Sequence, residues 1–214
     1  ALREAGLHPQ RMPTDELLKQ TAEDIANGKI VGWFQGRFEM GPRALGNRSI
    51  LADARRVDMK DVLNRRVKHR EPFRPYAPVI LAERVRDWFD IQQTDPFMTL
   101  APTVWSDKAP QIPSGIHADD TARIQTIERA ANERYYDLIA EFERLTGVPI
   151  ILNTSFNRQE PIVARPEEAI SCFLRTDMDT LVMGNFYCTD RNPRAISRAT
   201  ERFESHRQPE AALS

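Results

Sequence analysis

Leu17, Leu18, Ala22 and Ile25 recur at helical spacing behind an acidic first turn at Asp15 and Glu16. This pattern predicts a helix capped by Thr14 and closed by Gly28. The run KIVGWF (29–34) predicts a buried strand, and beyond a glycine-bearing loop SILA (49–52) predicts a short one. Val57, Val62, Leu63 and Val67 line one side of 57–70, predicting a helix that runs into the basic loop KHREPFRP, where Pro72 and Pro75 stop it. Strands are expected at 76–82 and 97–105, with a short helix over 83–89 between them. Residues 106–120 carry no hydrophobic period and read as a loop. ARIQTI (122–127) alternates, which predicts a strand with Arg123 and Gln125 on one face and Ile124 on the other.

A longer helix is expected from Asn132 or a neighbour to Thr146, with Tyr135, Leu138, Ile139, Phe142 and Leu145 among its apolar positions and Gly147 as its stop. VPIILN (148–153) and TLVMGNFYC (180–188) read as strands, with a helix opened by Pro166 between them. Several strands follow one another without an intervening helix. That irregular interleaving predicts an α+β protein, a layered mixed sheet with packed helices. Residues 1–13 read as a linker or arm, 14–190 as the folded domain, and 191–214 as a polar tail.

With 214 residues, 41% of them hydrophobic, the chain can bury a core. No apolar run approaches the roughly 18 residues of a membrane helix, and the N-terminus has no signal-peptide core. A start at Ala1, without an initiator Met, reads as a piece of a longer protein. Cys172 and Cys188 each lie among apolar neighbours, which predicts buried free thiols in a reducing, cytoplasmic setting. Net charge is −1, yet from Arg37 to Arg74 nine arginines and two lysines stand against five carboxylates. So local a surplus suits an anionic ligand; a nucleic-acid face would show a more basic domain with interleaved aromatics.

Four stretches could carry chemistry. In EMGPRALGNRSILAD (39–53), Gly41 and Gly46 stand five apart as in a Walker A loop, but Asn47 and Arg48 replace its Lys and Ser/Thr, and a strand follows instead of a helix. On spacing alone the loop reads equally as a phosphate cradle, with backbone amides assisted by Arg43 and Arg48, or as a turn with solvated arginines. VKHREPFRPYAPV (67–79) places Lys68, Arg70 and Arg74 on a proline-stiffened loop, with His69 read as a surface residue. In HADDTARIQTI (117–127) Arg123 needs a partner, either a ligand phosphate or a carboxylate such as Asp119 or Asp120. His117 with Asp119 is too thin for a metal site, so no metal is assigned. ILNTSFN (151–157) ends a strand in Asn153, Thr154, Ser155 and Asn157, a common ligand position in open sheets. Nothing reads as a nucleophile.

Together GWFQGRFEMGPRALGNRSILADAR, VKHREPFRPYAPV, HADDTARIQT and TGVPIILNTSFNRQEPIVARPEEAI resemble the C-terminal domain of the NodU/CmcH-type O-carbamoyltransferases, over roughly residues 12–190. The resemblance implies a YrdC/Sua5-like twisted mixed sheet that binds ATP with Mg2+ and carbamoyl phosphate and forms carbamoyl adenylate. A Kae1-like N-terminal domain, absent from this chain, would carry iron or a similar metal and hold the hydroxyl acceptor. By the same resemblance, Arg43 lies against the nucleotide, with Gly41, Gly46 and Arg48 in its loop. Lys68 and Arg74 hold phosphates; Arg123, Asn153 and Ser155 hold carbamoyl phosphate and the adenylate. The stretch HADD departs from the family pattern, which has a glycine near Asp120. No nucleic-acid or membrane partner is implied, and oligomerisation is left open. Two other readings stand at this point: a threonylcarbamoyl-adenylate synthase, and a non-catalytic nucleotide-binding or interaction module.

Overall fold

Five consecutive buried residues in Arg48–Ala52, and again in Ala77–Leu81, mark strands covered on both faces. In the computed structural model, which describes residues 1–190 and Ala195, they lie inside one mixed sheet. The strands are β1 (Gln10–Arg11), β2 (Val31–Phe34), β3 (Arg48–Ala52), β4 (Ala77–Leu81), β5 (Gln125–Ile127), β6 (Ile150–Ser155), β7 (Thr180–Met183) and β8 (Phe186–Cys188). Their spatial order is β1-β8-β7-β2-β3-β6-β4-β5. β2 pairs with β7, and β4 with β5, in parallel; the other neighbours are antiparallel. The helices among the described residues are α1 (Thr14–Ala26), α2 (Met59–Leu63), α3 (Val85–Trp88), α4 (Glu133–Thr146) and α5 (Pro166–Arg175). α1 packs along α4, and α5 lies against β2 and β7. The chain is thus α+β, as its pattern predicts. The segment read as a polar tail lies, Ala195 apart, outside the described residues.

Asn132 caps α4 as expected, accepting from the Tyr135 amide at 3.2 Å, and Tyr135, Leu138, Ile139 and Phe142 turn into the core. Leu145, expected with them, stays 38% exposed at the helix end. Thr14 does not cap α1; it is the first helical residue, and its hydroxyl accepts from Arg134 and Asn185. Residues 1–13 are tied into the domain, since Leu2 and Leu7 are buried and β1 pairs with β8.

Three departures have local causes. Residues 97–105, expected as a strand, carry only isolated bridges at Thr103 and Val104. The buried Asp95 carboxylate accepts from the amides of Phe97, Thr99 and Leu100 and bends the chain where a ladder would begin. The run 180–188 is a hairpin, because Gly184 takes φ +55° between β7 and β8. The helix expected over 57–70 breaks after α2 into a π-helical turn, Asn64–Lys68, closed by His69 in the left-handed region (φ 47°, ψ 54°). The Asn64 carbonyl accepts from the amides of both His69 and Arg70, which widens that turn.

A buried carboxylate that the apolar stripe hides ties α1 to the sheet. Asp24 accepts from Lys29 Nζ (2.8 Å), Thr180 Oγ1 (2.8 Å) and the Tyr187 hydroxyl (2.7 Å). Replacing it by Ala strands two hydroxyls and a cation, so Asp24→Ala is expected to lose about 3 kcal/mol in chemical denaturation. A loss below about 1 kcal/mol would show that water or another side chain takes over those donors.

Candidate functional site

β6 runs antiparallel to β3 and β4, and β5 runs parallel to β4. The end of β6 and the starts of β3, β4 and β5 therefore lie at one end of the sheet. Each loop that delivers the chain to this end bears cations: Arg43 before β3, Lys68, Arg70 and Arg74 before β4, and Arg123 before β5. Topology thus gathers four sequence motifs separated by up to about a hundred residues.

Lys68 closes the π-helical turn and is almost fully buried. Its ammonium donates to the carbonyls of Ser155 (2.6 Å) and Asn157 (2.8 Å) and to Asn157 Oδ1 (2.8 Å), with Ser155 Oγ at 3.4 Å. Ser155 Oγ also donates to Asn157 Oδ1. Lys68 thereby fixes the turn that follows β6. Burial pushes its pKa down to about 7, with the positive charges of Arg70 and Arg74 acting in the same direction.

Arg123 lies just ahead of β5, not within it, and is half-buried. Its Nε is buried with no hydrogen-bond partner among the described residues. Burial lowers its pKa, and the neighbouring charges of Arg43 and Arg70 lower it further. Of the carboxylates weighed as partners, Asp119 is engaged elsewhere. Asp119 accepts from the amide (3.2 Å) and hydroxyl (2.7 Å) of Thr121, whose Oγ1 also meets His117 Nδ1 at 2.9 Å. His117 and Asp119 are thus joined through a threonine, and no group of three His, Cys, Asp or Glu converges among the described residues. Asp120 adopts φ +60°. The backbone is left-handed here, beside the position where the family pattern has a glycine, at a cost of order 1 kcal/mol.

Beside the cations stand neutral amides. Asn153, nearly fully buried, donates to the Ala44 carbonyl (3.0 Å) and to Gln125 Oε1 (2.8 Å); Gln125 donates to the Leu45 carbonyl (2.8 Å). Asn153 Oδ1 is buried and has no partner among the described residues. β5 and β6 therefore hold the Arg43 loop from behind, and an acceptor remains free at its base.

The loop itself corrects one sequence expectation. Four of its amides, from Leu45 to Arg48, are engaged within the loop and are not presented to a ligand. Glu39 Oε1 takes the N–H groups of Leu45 (2.8 Å) and Asn47 (3.0 Å), and Oε2 takes that of Arg48 (3.2 Å). The amide of Gly46 donates to Ser49 Oγ at 3.1 Å. An internal carboxylate fills the concavity where a Walker loop would hold phosphate, and its burial raises the Glu39 pKa. Gly46 has φ +118°, and a Cβ there would come within 2.2 Å of the Tyr135 ring. It is required for packing and turn geometry together, whereas Gly41 (φ +108°) faces open space.

Arg48 likewise turns inward. Its guanidinium donates to the carbonyls of Gln35 and Asn47 and stacks 3.7 Å from the centroid of Phe34. The structure brings Arg43, Lys68, Arg123, Asn153 and Ser155 to the same sheet end, with Arg74 exposed beside them on the 69–76 loop; Arg48 belongs to the scaffold behind. Glu39, Asn64 and Tyr76 were not legible as site-building residues. A carboxylate six residues before Leu45 carries no spacing signal for that role.

A mixed α+β sheet with an end lined by cations and amides defines a site suited to a polyanion. The family model described as "Carbamoyltransferase C-terminus" matches residues 22–190, and the chain belongs to that family. An uncharacterized protein, sll1178, of Synechocystis sp. is 45% identical, in a match covering 80% of this chain and 31% of that protein. Nodulation protein NolNO of Sinorhizobium fredii is also 45% identical, covering 87% of this chain and 28% of that protein. The chain thus spans less than a third of the length of these curated relatives. Among solved structures, full-length HypF in its phosphate- and nucleotide-bound form matches with a TM-score of 0.58 at 23% identity, over 81% of this chain and 26% of HypF. That likeness is one of fold.

Glu39→Gln tests the internal anion. The amide can accept two of the three N–H groups but turns a donor toward the third, so a loss of about 1–3 kcal/mol is expected in denaturant unfolding. Unchanged stability would mean that the loop holds its shape without a charged acceptor.

Proposed function

We propose that this chain is the ATP-dependent carbamoyl-activating domain of an O-carbamoyltransferase, a larger protein that carbamoylates a hydroxyl of a small molecule. The observation that carries the reading is Arg123, half-buried beside two further arginines with no carboxylate paired to it among the described residues. A charge in that position is stabilised by a multiply charged anion. Family membership supplies the chemistry, and the phosphate- and nucleotide-bound form of the fold relative HypF supports the ligand class.

In this reading water first cleaves carbamoyl phosphate to carbamate and phosphate. A carbamate oxygen then bonds to the α-phosphorus of ATP as the α–β anhydride bond breaks, giving carbamoyl adenylate and pyrophosphate. No protein nucleophile is needed; several fixed cations around developing negative charge are. Arg43 faces the nucleotide, and Arg74 and Arg123 take phosphate oxygens. Asn153 Oδ1, the free buried acceptor, suits the carbamoyl N–H. Lys68 shapes Ser155 and supplies charge from behind. Magnesium would travel on the nucleotide phosphates, as is usual where few protein carboxylates converge. The acceptor hydroxyl would be held by a metal-bearing domain elsewhere in the longer protein.

ATP–pyrophosphate exchange measures the half-reaction directly. Exchange that depends on carbamoyl phosphate and falls by about a hundredfold or more in Arg123→Ala is the expected result. Exchange supported by bicarbonate and threonine instead would assign a threonylcarbamoyl-adenylate synthase. ATP binding that is unaltered by Arg123→Ala, with no exchange, would remove the catalytic reading.

Lys68 adds a pH signature. A bound anion favours the ammonium form, so binding takes up a proton wherever free Lys68 is neutral, above its pKa of about 7. ATP affinity is therefore expected to weaken as pH rises from about 7 toward 9, with proton uptake visible as a buffer-dependent heat in calorimetry. Affinity that is flat across that range in the wild type would contradict the assignment of Lys68 to the site.

A further inference from the structure

Between Lys68 and β4 the chain makes a short loop whose course is set by a single buried side chain. Asn64 uses its whole amide there. Its Oδ1 accepts from Arg70 Nε (2.8 Å) and from the Tyr76 hydroxyl (2.6 Å), and its Nδ2 donates to the carbonyls of Pro72 and Arg74, each at 3.3 Å. The Arg70 guanidinium lies over the Tyr76 ring, 4.8 Å from its centroid. Arg70 is therefore held at Nε and along one face, while no ion pair to a carboxylate engages it among the described residues. The loop leads into β4, next to β5 and so next to Arg123, whose charge is disfavoured by that of Arg70.

A guanidinium held by a neutral amide and an aromatic face keeps its full charge and leaves its terminal nitrogens available. Random solvated arginines have neither restraint. Both features are what a rigid anion contact needs, because little rotamer freedom remains to be lost on binding. We propose that Arg70 is a further anion-binding side chain of this site, with Asn64 as the positioning residue that aims it. The proposal rests on the reading of the site as a polyphosphate site and adds to it a fourth arginine beside Arg43, Arg74 and Arg123. The anion it takes is a phosphate group of the nucleotide or of carbamoyl phosphate, and separate titrations with the two distinguish them.

The test is isothermal titration of the 214-residue chain with magnesium–ATP and, separately, carbamoyl phosphate. Arg70→Ala is expected to weaken one of the two by about 10- to 100-fold, the range of a charge-assisted hydrogen bond. Arg70→Lys, which keeps the charge but loses the Nε contact and the fork, should recover only part of it. Arg65→Ala removes an equal charge from the exposed face of the same π-helical turn and should change affinity less than about twofold. Asn64→Ala should weaken binding like Arg70→Ala, and the double variant should be no weaker than either, the mark of a residue acting through its partner. If Asn64→Ala does not fold, the Arg70 and Arg65 variants still decide the contact. Arg70→Ala with unchanged affinity for both ligands, while Arg123→Ala abolishes binding, would overturn the role of Arg70 and leave the site intact. Equal losses in Arg65→Ala and Arg70→Ala would reduce the effect to bulk charge and overturn it too. A wild-type chain that binds neither ligand would overturn both readings.

Discussion

Like charges gathered without a counter-ion have to be held in place by something other than their own attraction. Two unit charges about 6 Å apart repel by roughly 3 kcal/mol at an effective dielectric near 20, and Arg123 feels the charges of both Arg43 and Arg70. The fold meets this constraint with neutral amides. Asn64 orients Arg70, while Asn153 and Gln125 hold the carbonyls of the Arg43 loop. Asn157 receives Lys68. An amide can direct a guanidinium or brace its loop without cancelling its charge, whereas a carboxylate in the same place would neutralise the field that makes the site useful. Placement of asparagines and a glutamine around the cations is thus a consequence of keeping them unpaired.

Glu39 is instructive as a carboxylate in the same loop as Arg43 whose charge is turned inward. Its oxygens are turned into the backbone of its own loop, where they occupy the amides of Leu45, Asn47 and Arg48. Arg48, the nearest cation, is buried against Phe34 and donates to carbonyls, so it counterbalances Glu39 from the scaffold side. The loop resembles a phosphate loop in glycine spacing yet carries its anion within itself.

Much of this was legible in the chain. Long motif strings in a fixed order identified the family, and alternation and helical spacing located most strands and helices. The cations of the candidate site were visible because they fall within the motif strings and, Arg123 apart, within the one locally basic stretch of the chain. What was hidden depended on side chains reaching backbone groups far from any periodic signal. Asp95 bends 97–105 out of a strand by capturing three amides. Asp24 sits inside an otherwise apolar helix face because partners arrive from β7 and β8. Glycine spacing at 41 and 46 suggested free amides, and Glu39 could not be seen closing on them. Asp120 adopts a left-handed conformation that no spacing signal announced, one open to aspartate as well as to glycine.

The cations are of two kinds, and the difference bears on how the site tolerates itself. Arginine stays charged in essentially any protein setting, so Arg43, Arg70 and Arg123 repel whatever the conditions. Lys68 is buried behind them among oxygen acceptors, with a pKa of about 7. It can release its proton when no anion offsets the local field and regain it when one does. Its three close acceptors take all three ammonium protons, so release of one would leave an oxygen without its donor and oppose the effect of burial. The geometry follows from sequence: a π-helical turn ends at Lys68 because Asn64 opens the helix there, and the same Asn64 shapes the loop that carries Arg70 and Arg74.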